Sequence, residues 1–254
     1  MNFLDKLKSK WKKRKFVCVG LDQANFEINK SIINKTAKIV CAYKPNSAFY
    51  EARGIEGLQS LKNTISYIRN LDPQMPVILD AKRGDVENTN MSYVKAAFDE
   101  LKADAVTVFP YLGKESLQPF LERTDKGIFV LVKTSNKGAD EFQDLLVASS
   151  QKPLYQIVAE HVVDWNENGN LGVVVGATYP QELKKVREAV GDLPILIPGI
   201  GAQGGNLAAI LKAGLDSKGE GIIISSSREI IFAAGPGEAT VKLDQQIKEL
   251  LKSV

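Results

Sequence analysis

Cysteine and histidine are nearly absent: Cys18, Cys41 and His161 are the only ones in 254 residues. No CxxC pair exists, which excludes a tetrahedral thiolate zinc site, and one histidine excludes a multi-histidine metal centre. A carboxylate-rich metal site stays open on these grounds. Two isolated cysteines build no disulfide scaffold and fit a reducing, cytoplasmic setting. No apolar run approaches the roughly 18–20 residues of a membrane helix. Neither sign of charge dominates. Thirty-three Lys+Arg against 30 Asp+Glu leave a formal +3, too small an excess to predict nucleic-acid binding. No Pro/Gly/Ser-rich linker or low-complexity tract divides the chain, so a single domain over 1–254 is expected.

The residues around His161 (154–163) carry the spacing of an amphipathic helix. A surface histidine is therefore expected there, rather than the base of a Ser-His-Asp triad. Residues 2–15 read as a basic N-terminal helix with Phe3, Leu4, Leu7 and Trp11 on its apolar side. They lack the apolar centre of a secretory signal. The run Lys12–Lys15 could serve as a polyanion patch, but its lead into the first strand favours a solvated helix face.

Ordinary globular proportions remain, 44% hydrophobic and 25% charged. Eight short β-rich runs recur at 16–21, 39–44, 76–82, 105–109, 127–133, 171–177, 194–198 and 221–225. Their starts lie about 29 residues apart, close to the roughly 30 of a βα unit. Most are continuously apolar, as strands buried on both faces are. Helical periodicity fills intervals such as 57–68, 181–190, 206–213 and 241–251. The fold class expected is α/β, a single (β/α)8 barrel of the TIM type. A doubly wound open sheet is the runner-up; Gly20-Leu21-Asp22 stands where its GxGxxG would follow the first strand.

A barrel places its active site at the C-terminal strand ends. Asp80 and Lys82, two apart in the third strand, share a face. Lys44 ends the neighbouring strand and Asp85 follows in the next loop, which gathers two carboxylates and two ammonium groups. The bland alternative is a salt-bridged rim; the otherwise apolar strand Pro-Val-Ile-Leu argues against it. An ion-paired Lys82 suits a proton donor better than an amine nucleophile. The loop 199–205 has four glycines, Asn206 reads as the N-cap of the next helix, and Arg228 follows strand eight. Together with Gln203 these suggest a phosphate grip, although glycines also serve tight βα turns. Ser135, after strand five, could hydrogen-bond a polar ring or carbonyl. Arg83-Gly84-Asp85 spells an adhesion tripeptide, a match too short to carry information.

These segments resemble the orotidine 5′-phosphate decarboxylase family, in its longer bacterial branch. Residues 79–89 (Leu-Asp-Ala-Lys-Arg-Gly-Asp-Val-Glu-Asn-Thr) are similar to its Asp-x-Lys-x-x-Asp signature. Gly20-Leu21-Asp22, Tyr43-Lys44-Pro45, Lys133-Thr134-Ser135-Asn136, the segment 198–205 and Ser225-Ser226-Ser227-Arg228 fall in the family's order. The resemblance spans about residues 16–235. It implies decarboxylation of orotidine 5′-monophosphate to UMP, the last step of pyrimidine nucleotide synthesis, without metal or organic cofactor. It implies that Lys82 protonates C6 and that Asp80 sits beside the scissile carboxylate, with Lys44 and Asp85 completing the array. Asp22 and Lys44 would hold ribose hydroxyls and Ser135 the pyrimidine edge. Gln203 and Arg228 would hold the phosphate while the 201–205 loop, Gly204 included, closes over it. Asp85 and Thr89 would reach into the site of a second subunit, which implies a homodimer. One departure is visible: Lys137 stands where the family pattern has proline.

Two rivals follow. Metal-dependent sugar-phosphate aldolases and decarboxylases of the same superfamily need an acidic ligand near the end of strand two, where Lys44 stands here. A non-catalytic phosphate-binding barrel would be expected to have lost a member of the charged cluster, and all four are present.

Overall fold

The computed structural model describes residues 1–200 and 206–252. Ten strands occur among them. They are β1 (Val17–Gly20), β2 (Ala42–Lys44), β3 (Ile78–Arg83), β4 (Ala105–Val108), β5 (Gly127–Lys133), β6 (Leu146–Val147), β7 (Lys152–Pro153), β8 (Leu171–Val175), β9 (Ile195–Pro198) and β10 (Ile222–Ser226). Eight form one parallel sheet in the order β2-β1-β10-β9-β8-β5-β4-β3. Parallel bridges Tyr43–Val77 and Asn46–Asp80 join its two ends. The Tyr43 N–H donates to the Pro76 carbonyl at 3.0 Å and the Asp80 N–H to that of Pro45 at 2.9 Å. The sheet thus closes into the TIM barrel that the recurring βα period predicts. The pair β6–β7 is a separate antiparallel hairpin.

Every residue of β1, β4, β5, β8 and β10 is buried. Helices cover the outer face and side chains fill the inner one, so these strands read as continuous apolar runs. The helices over these periodic segments run Gly54–Leu71, Pro180–Val190, Leu207–Gly214 and Pro236–Leu250, the first and last starting three and five residues earlier than the pattern. Pro180 and Pro236 open theirs because a fixed φ and a missing N–H suit the first turn. Asn206 is the N-cap expected, accepting from the Ala209 N–H at 3.1 Å. The second strand is shorter than 39–44. The N–H groups of Ile39 and Val40 both turn back to the Thr36 carbonyl at the end of the helix Phe26–Thr36.

The N-terminal helix runs Phe3–Trp11, capped by Asn2, and lies against the N-terminal ends of the strands. Phe3 packs edge-on against Phe129 at 5.7 Å. A Cβ on Gly127 would meet the Phe3 ring at 2.3 Å, so only glycine admits the helix so close to β5. The Trp11 Nε1–H donates to the Ile222 carbonyl at 2.8 Å. Lys12, Lys13 and Arg14 are exposed as expected. Lys6 and Lys10 are not on a solvated face: both are buried, paired with Asp104 at 2.8 Å and Asp72 at 2.9 Å. His161 is exposed and stacks on Trp165 at 5.8 Å.

Candidate active site

The C-terminal strand ends bring Lys44, Asp80 and Lys82 into contact. Lys44 Nζ lies 2.9 Å from Asp80 Oδ2, and Lys82 Nζ lies 2.6 Å from Asp80 Oδ1. The Lys44 and Asp80 side chains are 7% and 12% exposed, whereas that of Lys82 is 42% exposed. A surface salt bridge on a barrel rim is worth about 0–1 kcal/mol and is wet on both sides; this one lies below the rim. Burial alone would raise the Asp80 carboxyl, but Lys44 and then Lys82 outweigh it and hold it well below the usual carboxylate range. Burial alone would lower the Lys44 ammonium, yet Asp80 and Asp22 hold it above its ordinary value. Asp80 and Lys44 therefore stay charged although both side chains are largely buried.

The backbone here is not a regular strand. Pairing of β3 with β4 breaks between Leu79 and Arg83, and Lys82 has φ +48°. Left-handed backbone costs a residue with a Cβ about 1–2 kcal/mol. Lys82 still reaches Asp80, but alternation alone does not put it there. The Thr107 hydroxyl of β4 donates to Asp80 Oδ1 at 2.9 Å and accepts the Lys82 N–H at 3.0 Å. Sequence reasoning missed Thr107, which hides within an apolar strand as an ordinary β-branched residue.

Two adjoining cavities share Lys44, Asp80 and Pro198 in their walls. One, of about 470 Å3, adds Asp22, Gly199, Ser227 and Arg228. Gly199 has φ +99°, which bends the chain away from the end of β9. Arg228 is exposed at this cavity and opens the short helix Arg228–Ile231. Gln203 and Gly204, the other residues of the expected phosphate grip, lie outside the described residues. Asp22 accepts the Ser227 hydroxyl at Oδ2, while its Oδ1 is buried with no partner among the described residues. A Cβ on Gly20 would fall 2.7 Å from that of Ser227, so glycine permits this approach.

The second cavity, of about 490 Å3, is walled by Lys82, Thr107, Thr134 and Ser135 beside apolar Leu131 and Val174. Residues 139–152 form the short helix Asp140–Gln143 and the β6–β7 hairpin. They are tied down from below. Lys133, fully buried, pairs with Asp144 at 2.6 Å and sits 4.7 Å from the centre of the Tyr179 ring. Gln143 Oε1 accepts the Thr134 N–H at 2.9 Å, and its amide donates to the Thr134 hydroxyl at 2.8 Å.

Asp85 stands apart from the other three charges. Its carboxylate accepts the Val86 N–H at 2.7 Å and lines neither cavity. Within one chain the array is Lys44–Asp80–Lys82, not the four-membered array the sequence suggests, because β3 ends at Arg83 and Asp85 belongs to the loop beyond it. Thr89 lies one turn further on, on the helix Glu87–Val94, its hydroxyl directed to Asn88 at 3.4 Å.

Fold and site together define a (β/α)8-barrel enzyme whose strand ends hold a lysine–aspartate–lysine chain, buried at Lys44 and Asp80, beside a polar cavity. Residues 15–243 match the profile of the "Orotidine 5'-phosphate decarboxylase / HUMPS family", and the chain belongs to this family. An orotidine 5'-phosphate decarboxylase of Ralstonia pickettii is 45% identical over 250 residues, 92% of this chain and 91% of that protein. One from a Janthinobacterium species is 46% identical over 249 residues, 92% and 90% of the two. The structure of Leishmania donovani OMP decarboxylase superposes with a TM-score of 0.93 at 43% identity, covering 99% of each chain.

Proposed function

We propose that the chain decarboxylates orotidine 5′-monophosphate to UMP and carbon dioxide, the closing step of pyrimidine nucleotide synthesis, without a cofactor. The observation that carries this reading is the Asp80 carboxylate gripped between two lysines at the floor of the cavities. Relatives at about 45% identity over nine-tenths of the chain bear the decarboxylase name.

The phosphate lies against Arg228 and the 199–205 loop, with Gln203 and Gly204 closing over it. The unpaired Oδ1 of Asp22 and the ammonium of Lys44 take ribose hydroxyls. The pyrimidine edge meets Ser135 in the second cavity, and C6 lies over Lys82. The C6–carboxylate bond breaks, carbon dioxide leaves, and the electron pair stays on C6. The Lys82 ammonium stabilises that pair and transfers its proton to C6, then regains one from water. This attraction grows as charge develops, so it lowers the barrier rather than merely binding substrate. Asp80, ion-paired with Lys82, holds its side chain in place and sits against the departing carboxylate. Asp85 and Thr89 complete the site of a second subunit in a homodimer. The two buried, free thiols suit a reducing cytoplasm, and among the described residues no helix is long and apolar enough to cross a membrane.

Lys44 also weighs against the metal-dependent sugar-phosphate reading, since its buried ammonium occupies the place of an acidic ligand and repels a cation. The test follows the ultraviolet absorbance of orotidine 5′-monophosphate with the purified protein, with and without chelator. Loss of the orotate-type absorbance in both supports the reading; loss abolished by chelator supports the metal-dependent rival. Tight UMP binding without turnover would mean a non-catalytic phosphate-binding barrel. Lys82→Ala should lower kcat by about 10²–10⁴-fold, the usual contribution of a positioned proton donor, while UMP still binds. Undiminished turnover in that variant would refute the assigned role.

A further inference from the structure

Thr107 carries both ends of the reacting pair on one hydroxyl. It sits in the middle of β4, 1% exposed. Its neighbours in the ladder are regular: Val106 pairs with Leu79, and Val108 pairs with Arg83. Between those two rungs the partner strand holds three residues, Asp80, Ala81 and Lys82, against the single residue Thr107. Such an excess of two residues on one strand leaves N–H groups without a ladder acceptor. The Asp80 N–H is taken by the Pro45 carbonyl across the barrel seam. The Lys82 N–H is taken by the Thr107 side chain at 3.0 Å.

A hydroxyl has one proton to give and lone pairs to accept with. Here the proton goes to Asp80 Oδ1 at 2.9 Å and a lone pair takes the Lys82 N–H. The same Oδ1 accepts from Lys82 Nζ at 2.6 Å. The three groups therefore close a ring: Lys82 backbone to Thr107, Thr107 to Asp80, Asp80 to the Lys82 ammonium. Left-handed backbone at a residue bearing a long side chain persists only where its surroundings over-determine it. Lys82 is such a residue, with φ +48°, and Thr107 supplies the bond that holds it.

We infer that Thr107 is a positioning residue for the proton transfer, holding the Lys82 backbone in its left-handed turn and the Asp80 carboxylate in plane, so that the Lys82 ammonium stays aimed into the cavity. This rests on the proposed role of Lys82. The one proton of the Thr107 hydroxyl is spent on Asp80 and a lone pair on Lys82, so it acts through them and has no proton left to donate to a substrate.

The experiment compares Thr107→Val, which keeps the branched shape and removes the hydroxyl, with Thr107→Ser, which keeps the hydroxyl. Thr107→Val should lower kcat by about 10- to 100-fold, the scale of an ångström's misplacement of a reacting group. KM and UMP affinity should change by no more than about threefold, and Thr107→Ser should recover most of kcat. Unchanged kcat in Thr107→Val, or an equal loss of UMP affinity, overturns the inference. A second readout needs no turnover: the rate at which acetic anhydride labels Lys82, located by mass spectrometry. It should rise in Thr107→Val, as the side chain swings away from its 2.6 Å contact with Asp80 and meets the reagent more freely, and return in Thr107→Ser. If the parent does not decarboxylate, the proposed reaction falls while the labelling contrast still decides on Thr107. Equal labelling in all three proteins overturns the inference. Thr107→Ala replaces Thr107→Val in both comparisons if the latter does not fold.

Discussion

Lys44 and Asp80 show what a charge pair costs and returns at a barrel mouth. Their geometry makes breaking the pair expensive: removing one partner of a buried ion pair typically costs about 3–5 kcal/mol, because the other charge is left unpaired. Asp80→Asn leaves Lys44 and Lys82 facing each other with no anion between them, so a loss of that size is expected at neutral pH. Asp80 is held below its ordinary value by Lys44 and Lys82 against burial. Its contribution is thus complete above the unfolded value of about 4 and fades as pH falls through the folded value. Lys44 is held above its ordinary value by Asp80 and Asp22 against burial. Its share is complete below about 10.5 and fades as pH rises further. Urea unfolding of parent and Asp80→Asn should give a stability gap that is flat from about pH 5 to pH 9. The gap should narrow in more acid solution; a gap widening there would contradict the ionised pair. The sequence made this pair legible because charged residues interrupt apolar strands at fixed spacing. It did not make Thr107 legible, because a threonine in a strand is what β-propensity alone would place there.

Elements show where local pattern stops being sufficient. The eight strands and their helices follow from apolar runs of βα length, since burial on both faces leaves a period-free signature that survives reading. The helix Phe3–Trp11 was legible through Phe3, Leu7 and Trp11, but not through Lys6 and Lys10, whose buried pairing depends on Asp104 and Asp72 far along the chain. The strap after β5 was least legible. Its short helix and two-residue strands carry too few residues for periodicity, and what fixes it is tertiary: Lys133 with Asp144 and Gln143 with Thr134. Asp144→Ala strips the carboxylate from a fully buried lysine. Asp144 itself is 45% exposed and the Tyr179 face remains, which discounts the loss to about 1–2 kcal/mol. The stronger effect should be local. Limited proteolysis within 137–152 should be faster than in the parent, and KM should rise more than kcat falls because Thr134 and Ser135 lose their support. Cleavage as slow as in the parent would mean that the hairpin holds itself.

The whole molecule poses the question of what Asp85 is for. It falls in the charged motif by sequence, yet its carboxylate lies outside both cavities of its own barrel. The loops that follow β3, β4 and β5 lie side by side, because those strands are neighbours in the sheet. On them Val86, Met91, Tyr111, Leu112 and Phe142 are 51%, 57%, 87%, 47% and 64% exposed. Apolar side chains grouped in this way mark an interaction face. In the homodimer proposed above, a second copy related by a two-fold axis would cover it isologously and carry each Asp85 toward the other's Lys82. The consequence is quantitative. On that reading, a chain with Lys82→Ala and a chain with Asp85→Ala should each be all but inactive as homodimers. Mixed and allowed to exchange, half their dimers are hybrids. In each hybrid one site takes Lys82 from one chain and Asp85 from the other, and the second site lacks both. An equal mixture should therefore recover about a quarter of the parent's activity per chain. Subunit exchange is followed by native mass spectrometry of the same mixture. Hybrids that form and remain inactive would place Asp85 in its own chain's site, and the shared-site reading would be lost.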